Sequence, residues 1–181
     1  MVDIAKFKPN TVYVTYIAAT SDQVWQALTD SAFTRQYFFG FAVEIEPRAG
    51  GAFKLLAADG GTHVKGEVLD WSPPRRLSCT WGVKGMQDFG ELPDCVVTYE
   101  IETSGETVKL TLTESHSWDV PPAILAGGRV GWPKIISGLK SVIETGKPLR
   151  MAMEGPPPGM IEAAQRAIAE KPWERRQPRS L

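Results

Sequence analysis

From Trp132 onward, the apolar residues of this chain fall on one helical stripe. Trp132, Ile135, Ile136, Leu139, Val142 and Ile143 recur at i, i+3, i+4, i+7, i+10 and i+11, the spacing of one face of an α-helix. Such a stripe has to be buried against another layer. Pro133 fits the first turn, where a missing N–H costs little. Gly146 fits the position that ends the helix. Gly138, inside it, costs about 1 kcal/mol in propensity; its absent side chain allows close approach to a sheet or leaves room for something else.

The preceding sequence supplies the sheet. Residues 11–18 are rich in β-branched and aromatic side chains and read as a strand. Thr20, Ser21 and Asp22 offer caps, and Val24, Trp25 and Leu28 follow at helical spacing, so 22–29 reads as a short helix. Asp30 or Ser31 caps a second short helix, through 34–38 and ending at Gly40. Residues 42–46, 52–57, 62–71, 76–81, 95–102 and 107–117 read as further strands. Turns at 48–51, 59–61, 72–74 and 104–106 separate them, with a loop at 82–93. Strands in sequence order joined by short turns form an antiparallel meander. The expected fold class is α+β: a curved antiparallel sheet of six to seven strands wrapped around a long C-terminal helix, with two short helices after the first strand.

That assignment makes 1–146 one domain and 147–181 an extension. The extension opens with the breaker Gly155-Pro156-Pro157-Pro158-Gly159. Met160–Glu170 then carries a narrow apolar stripe, Met160, Ile161, Ala164 and Ile168. This helix packs back on its own domain, pairs two copies or docks on a partner. Residues 171–181 are polar and basic, with Arg175, Arg176 and Arg179, and read as a frayed tail.

Composition narrows the function classes. A chain of 181 residues, 43% hydrophobic and 23% charged, buries roughly 70% of its unfolded surface and needs neither disulfide nor metal to fold. A net charge of −1 creates no field favouring nucleic acid or an acidic membrane. Cys79 and Cys95 make no metal-binding spacing, and Cys79 between Leu77 and Trp81 reads as a buried thiol. Residues 1–10 have charges and no apolar signal segment, and no stretch reaches the ~18 apolar residues of a membrane helix. The expected location is the cytoplasm, the expected state a monomer or homodimer, and neither membrane nor nucleic acid is expected as a partner.

Several stretches carry a family resemblance. Residues 18–30, with Ala18, Val24, Trp25, Leu28, Thr29 and Asp30, are similar to the opening of START-like (SRPBCC, helix-grip) domains. More narrowly they resemble the subfamily homologous to the activator of a heat-shock chaperone ATPase. Arg48-Ala49-Gly50-Gly51-Ala52-Phe53 fits as well. So do Gly66-Glu67-Val68-Leu69-Asp70-Trp71 leading to Pro73, Pro74 and Arg76, then Thr80-Trp81, and finally Gly131-Trp132. Ala19 stands where that pattern usually has proline. The chaperone activators carry a further N-terminal domain, for which this chain has no room.

The resemblance implies a cavity between sheet and long helix, lined by aromatic residues and holding a small apolar or aromatic ligand. The residues expected around it are Trp25, Phe38, Trp71, Trp81, Tyr99, Leu112, Glu114, His116, Trp132, Ile136 and Leu139. The same pattern also suits a fully packed core. Alternation on the last strand supports the polar members of the set. Val108, Leu110 and Leu112 share a face, and Glu114 and His116 continue it. They either point beneath the helix, where they orient a polar group of a ligand, or reach solvent at the rim. With only two histidines and no phosphate-binding motif, neither a metal nor a cofactor is expected; the Gly-Gly pairs read as turns. Three functions therefore compete: a small-molecule binding domain, a stress-related co-chaperone acting through its surface, and a cyclase- or hydratase-type enzyme using Glu114 and His116 as catalytic acid and base.

Overall fold

The structure is a computed structural model and describes residues 2–174. Strand β1 (Lys8–Ile17) leads into helices α1 (Ser21–Thr29) and α2 (Ser31–Tyr37). Thr20 caps α1 by accepting from the Gln23 amide, and the Gln23 side chain accepts from the Thr20 amide in return. Asp30 caps α2 by accepting from the Ala32 amide at 2.7 Å. Neither helix is long enough to stand alone. The Tyr37 hydroxyl ties them together by donating to the Ala27 carbonyl.

Strands β2 (Ala42–Ile45), β3 (Ala52–Leu56), β4 (Thr62–Ser72), β5 (Arg76–Val83), β6 (Cys95–Ser104) and β7 (Thr107–His116) follow. They form one antiparallel sheet in the order β1-β7-β6-β5-β4-β3-β2. The meander is as expected, with β1 closing beside β7, where Tyr13 faces Leu112 and Thr11 faces Glu114. Strand β5 runs on to Val83, and a short 3-10 turn at Gln87–Phe89 breaks up the expected loop.

Helix α3 (Pro122–Thr145) differs from its reading in sequence. The stripe from Trp132 to Val142 is buried against the sheet, but the helix begins ten residues earlier, at Pro122. Pro133 therefore lies in the interior rather than the first turn, and has no N–H to donate to the Arg129 carbonyl. The Gly127-Gly128 pair is helical, not a turn. Gly138 does allow a close approach, but to α2 rather than to the sheet: a Cβ there would sit 3.1 Å from the Tyr37 Cβ.

Helix α4 (Met160–Glu170) folds back on its own domain. Its Ala164 and Ala167 join Phe89, Trp118, Val120, Ile124 and Leu125 in a second apolar cluster beside the main core. Trp173 stacks edge-on against Trp118 at 5.2 Å, so the first residues past α4 are anchored. The basic part of the tail, with Arg175, Arg176 and Arg179, lies outside the described residues. No helix among the described residues is long and apolar enough to cross a membrane.

Candidate functional site

A cavity of about 260 Å³ opens at one end of the space between sheet and α3. Its deep wall is aromatic. Trp81 from β5 and Trp132 from α3 meet with ring centres 5.3 Å apart, and Phe38 stands edge-on to Trp132 at 5.9 Å. Phe38 belongs to the sharp turn after α2, where Phe39 takes a left-handed φ of 50° and Gly40 one of 84°. That conformation is uncommon for a bulky residue. It brings Phe38, Phe39 and Phe41 to the same wall. Phe41 in turn stacks flat on His63, centres 4.2 Å apart, and burial holds the His63 pKa below its usual value.

The polar group of the cavity comes from the end of β7. Val108, Leu110 and Leu112 are wholly buried, and Glu114, 8% exposed, continues their face inward. Glu114 Oε2 accepts from Trp132 Nε1 at 2.6 Å, which satisfies the buried indole and clamps α3 to the sheet. There is no room for a side chain between them: a Cβ on Gly128 would meet Oε2 at 2.7 Å. Burial raises the Glu114 pKa, while the Trp132 N–H and the charge of Arg129 pull it down. His116 Nε2 lies 3.9 Å from Glu114 Oε1. Burial depresses the His116 pKa from 6.5 to about 4, so the ring is neutral at pH 7. An imidazole so reluctant to take a proton is a weak base, and the pair suits recognition better than proton abstraction.

The mouth is built from two segments outside the sheet and α3. Met86, Phe89 and Leu92 come from the loop after β5. Met153 to Pro157 and Met160 come from the extension, pinned by an ion pair between Lys134 and Glu154 at 2.6 Å. Met160 sits over Gly127, where a Cβ would meet its methyl at 2.6 Å. Cys95 also lines the cavity, its thiol donating to the Trp81 carbonyl at 3.7 Å; burial pushes its pKa well above the ordinary thiol range.

Of the residues expected around a ligand, Phe38, Trp81, Glu114, His116 and Trp132 line this cavity. The other six do not. Trp25 and Trp71 pair edge-to-face at 4.9 Å and pack on the main core away from it. Tyr99, Leu112, Ile136 and Leu139 are core residues, filling the part of the sheet–helix space that is solid. Phe39, Phe41, His63, Met86, Phe89, Cys95 and the extension were not foreseen. The spacing Phe38-Phe39-Gly40-Phe41 was a usable signal, three aromatics about one turn glycine. Among the described residues, no group of three histidine, cysteine or acidic side chains is placed to hold a metal.

This architecture recurs in known proteins. Residues 18–144 match the family model described as activator of Hsp90 ATPase homolog 1-like protein. The chain belongs to that family. Its START-like, helix-grip fold is shared by solved structures. CalU16 from Micromonospora echinospora is 24% identical, with 88% of this chain and 83% of that one covered and a TM-score of 0.60. DynU16, a protein of the dynemicin biosynthetic locus, is 26% identical with a TM-score of 0.65; the match covers 76% of this chain but 48% of DynU16. PFC0360w, an Hsp90 activator from Plasmodium falciparum, is 18% identical with a TM-score of 0.61, covering 75% of this chain and 96% of that one. No curated protein matches. As a member of the activator-homologue family, this chain places its matched region across α1, α2, β2–β7 and nearly all of α3, with the extension beyond it.

Proposed function

We propose that this protein binds a small hydrophobic or aromatic molecule in the cavity between β5, β7 and α3. The observation that carries the proposal is the cavity's composition. An aromatic wall of Phe38, Trp81 and Trp132 meets one convergent polar pair, Glu114 and His116. Small-molecule sites are typically mostly apolar with a few placed polar groups. An engineered apolar cavity of about 150 Å³ takes benzene, so about 260 Å³ suits a two-ring compound.

Gly131 supplies the test. It lines the cavity, and a Cβ built there meets nothing within 4 Å. Gly131→Leu therefore places its Cβ without crowding a neighbour, adds bulk to the cavity lining, and gains up to about 1 kcal/mol in helix propensity. The expected result is an unchanged or raised melting temperature together with loss of binding for aromatic ligands that raise the melting temperature of the wild type. Equal ligand response in wild type and variant overturns the proposal.

A co-chaperone-like role is the second reading. Family membership favours it, and so does a row of exposed apolar residues on the outer face of edge strand β1: Val12, Val14 and Tyr16, each about half exposed. Stimulation of an Hsp90 ATPase by the wild type, abolished in the double variant Val12→Lys, Val14→Lys, is the expected outcome on this reading. An ATPase rate indifferent to the wild-type protein removes it.

A further inference from the structure

The polar end of the cavity is wired by a residue that does not line it. Asn10, near the start of β1 where the register shifts between Pro9 and Thr11, lies against His116 at the end of β7. Its Oδ1 accepts from the His116 backbone N–H at 3.1 Å and meets the ring Nδ1 at 2.9 Å. A backbone N–H is always a donor, so the atom it meets is the oxygen of the Asn10 amide and not the nitrogen. An oxygen acceptor requires Nδ1 to carry the ring proton. The neutral ring then has its lone pair on Nε2.

Nε2 accepts no hydrogen bond from any described residue, and neither does Glu114 Oε1, 3.9 Å away. The second oxygen, Oε2, is already used by Trp132. Neither free atom is sealed in protein; among the described residues, the buried side-chain atoms without a partner are Thr11 Oγ1, Tyr13 OH and Trp118 Nε1. The cavity thus presents a fixed acceptor at Nε2 beside a carboxyl oxygen. That oxygen accepts when Glu114 is ionised and donates when it is protonated.

We infer that the cavity selects aromatic molecules bearing a neutral O–H or N–H donor, phenols or aryl amines, and discriminates against aryl carboxylates, with Asn10 as the positioning residue that fixes the His116 acceptor. This rests on the ligand-binding reading above and sharpens it. A phenol donates to Nε2 and accepts from a protonated Oε1; an aryl amine donates to both atoms when Glu114 is ionised. A carboxylate meets lone pairs on both sides when Glu114 is ionised, and still meets the Nε2 lone pair when Glu114 is protonated. Of the nearby cations, Lys134 is already paired with Glu154, and Arg129, whose charge reaches Glu114, does not line the cavity.

Four probes of one shape test this on the wild-type protein: naphthalene, 2-naphthol, 2-naphthylamine and 2-naphthoate, titrated by tryptophan emission. 2-Naphthol and 2-naphthylamine are expected to bind at least about tenfold tighter than naphthalene, a difference of about 1.4 kcal/mol, with 2-naphthoate weakest. Binding of all four without preference overturns the donor class and leaves the cavity reading standing. Failure of all four, the hydrocarbon included, overturns both. For Asn10, the readout is the ring nitrogen spectrum of His116. A single Nδ1–H tautomer is expected in the wild type, a mixture in Asn10→Ala, and restoration in Asn10→Asp, whose carboxylate oxygen also accepts from Nδ1–H. Donor preference should fall in Asn10→Ala and return in Asn10→Asp. A wild-type His116 protonated at Nε2 overturns the assignment.

Discussion

Lowering the pH from 7 to 5 is expected to remove about 2 kcal/mol of stability through His116. Its side chain is only 11% exposed, and this burial lowers its pKa from 6.5 to about 4. In the unfolded chain it titrates near 6.5. Because the folded value is the lower one, the unfolded chain takes up the proton first. The stabilisation is full above the unfolded pKa and is lost as pH falls toward the folded one. The whole gap corresponds to at most about 3 kcal/mol, of which about 2 kcal/mol falls between pH 7 and 5. Glu114 acts with the opposite sign. Its pKa is raised by burial, so its folded form binds a proton more readily and its contribution grows as pH falls. An ionised Glu114 3.9 Å from Nε2 would also favour the imidazolium, which makes about 2 kcal/mol an upper figure. The assay is urea unfolding of the wild type and His116→Asn at pH 7, 6 and 5. Asparagine keeps a donor near the Nδ1 position for Asn10 but does not titrate. The stability gap between the two proteins should shrink by about 2 kcal/mol on acidification. Two curves that fall in parallel refute the assignment of a buried neutral imidazole.

Other perturbations have equally definite outcomes. Glu114→Leu leaves the buried indole N–H of Trp132 without an acceptor and is expected to cost about 1–3 kcal/mol, whereas Glu114→Gln keeps an acceptor and costs less, both by urea unfolding. Gly138→Leu should lower stability by about 1–3 kcal/mol, because even its Cβ crowds Tyr37; the same substitution at Gly131, seven residues back on the same helix, should not. Truncation before residue 147 uncovers Phe89, Trp118, Ile124 and Leu125, and is expected to cost at least about 3 kcal/mol and to create binding of an apolar dye. A truncated protein with unchanged melting temperature contradicts the packing of α4.

Much of the fold was legible because its strands are half-buried. In β7 the alternation from Val108 through Leu112 is strict, and it carried the reading past the apolar run to Glu114. Turn residues at 59–61 and 104–106 marked the hairpins. The first ten residues of α3 were hidden for a physical reason. Gly127, Gly128 and Gly131 each cost about 1 kcal/mol in helix propensity, and no stripe runs through them. Two of these glycines are small because Met160 and Glu114 pass directly over them, and packing of Ile124 and Leu125 against α4 holds that stretch helical. The cavity was legible only in part. Trp81, Trp132, Glu114 and His116 sit on regular elements with a period. Met86, Phe89 and residues 153–157 reach it from outside the sheet and the long helices, where no period marks them. Trp25 and Trp71 share the pattern of cavity aromatics but pack on each other, and sequence periodicity does not distinguish a ring facing a neighbour from a ring facing a void.

The six tryptophans provide the most direct test of a ligand site at this place in the fold. Their indole N–H signals can be followed by nitrogen–proton correlation NMR while 2-naphthol is added. Binding in the cavity predicts large, saturable shifts for Trp81 and Trp132, with Trp25 and Trp71 unmoved. Shifts at Trp25 and Trp71, or no saturable shift at Trp81 and Trp132, would contradict it.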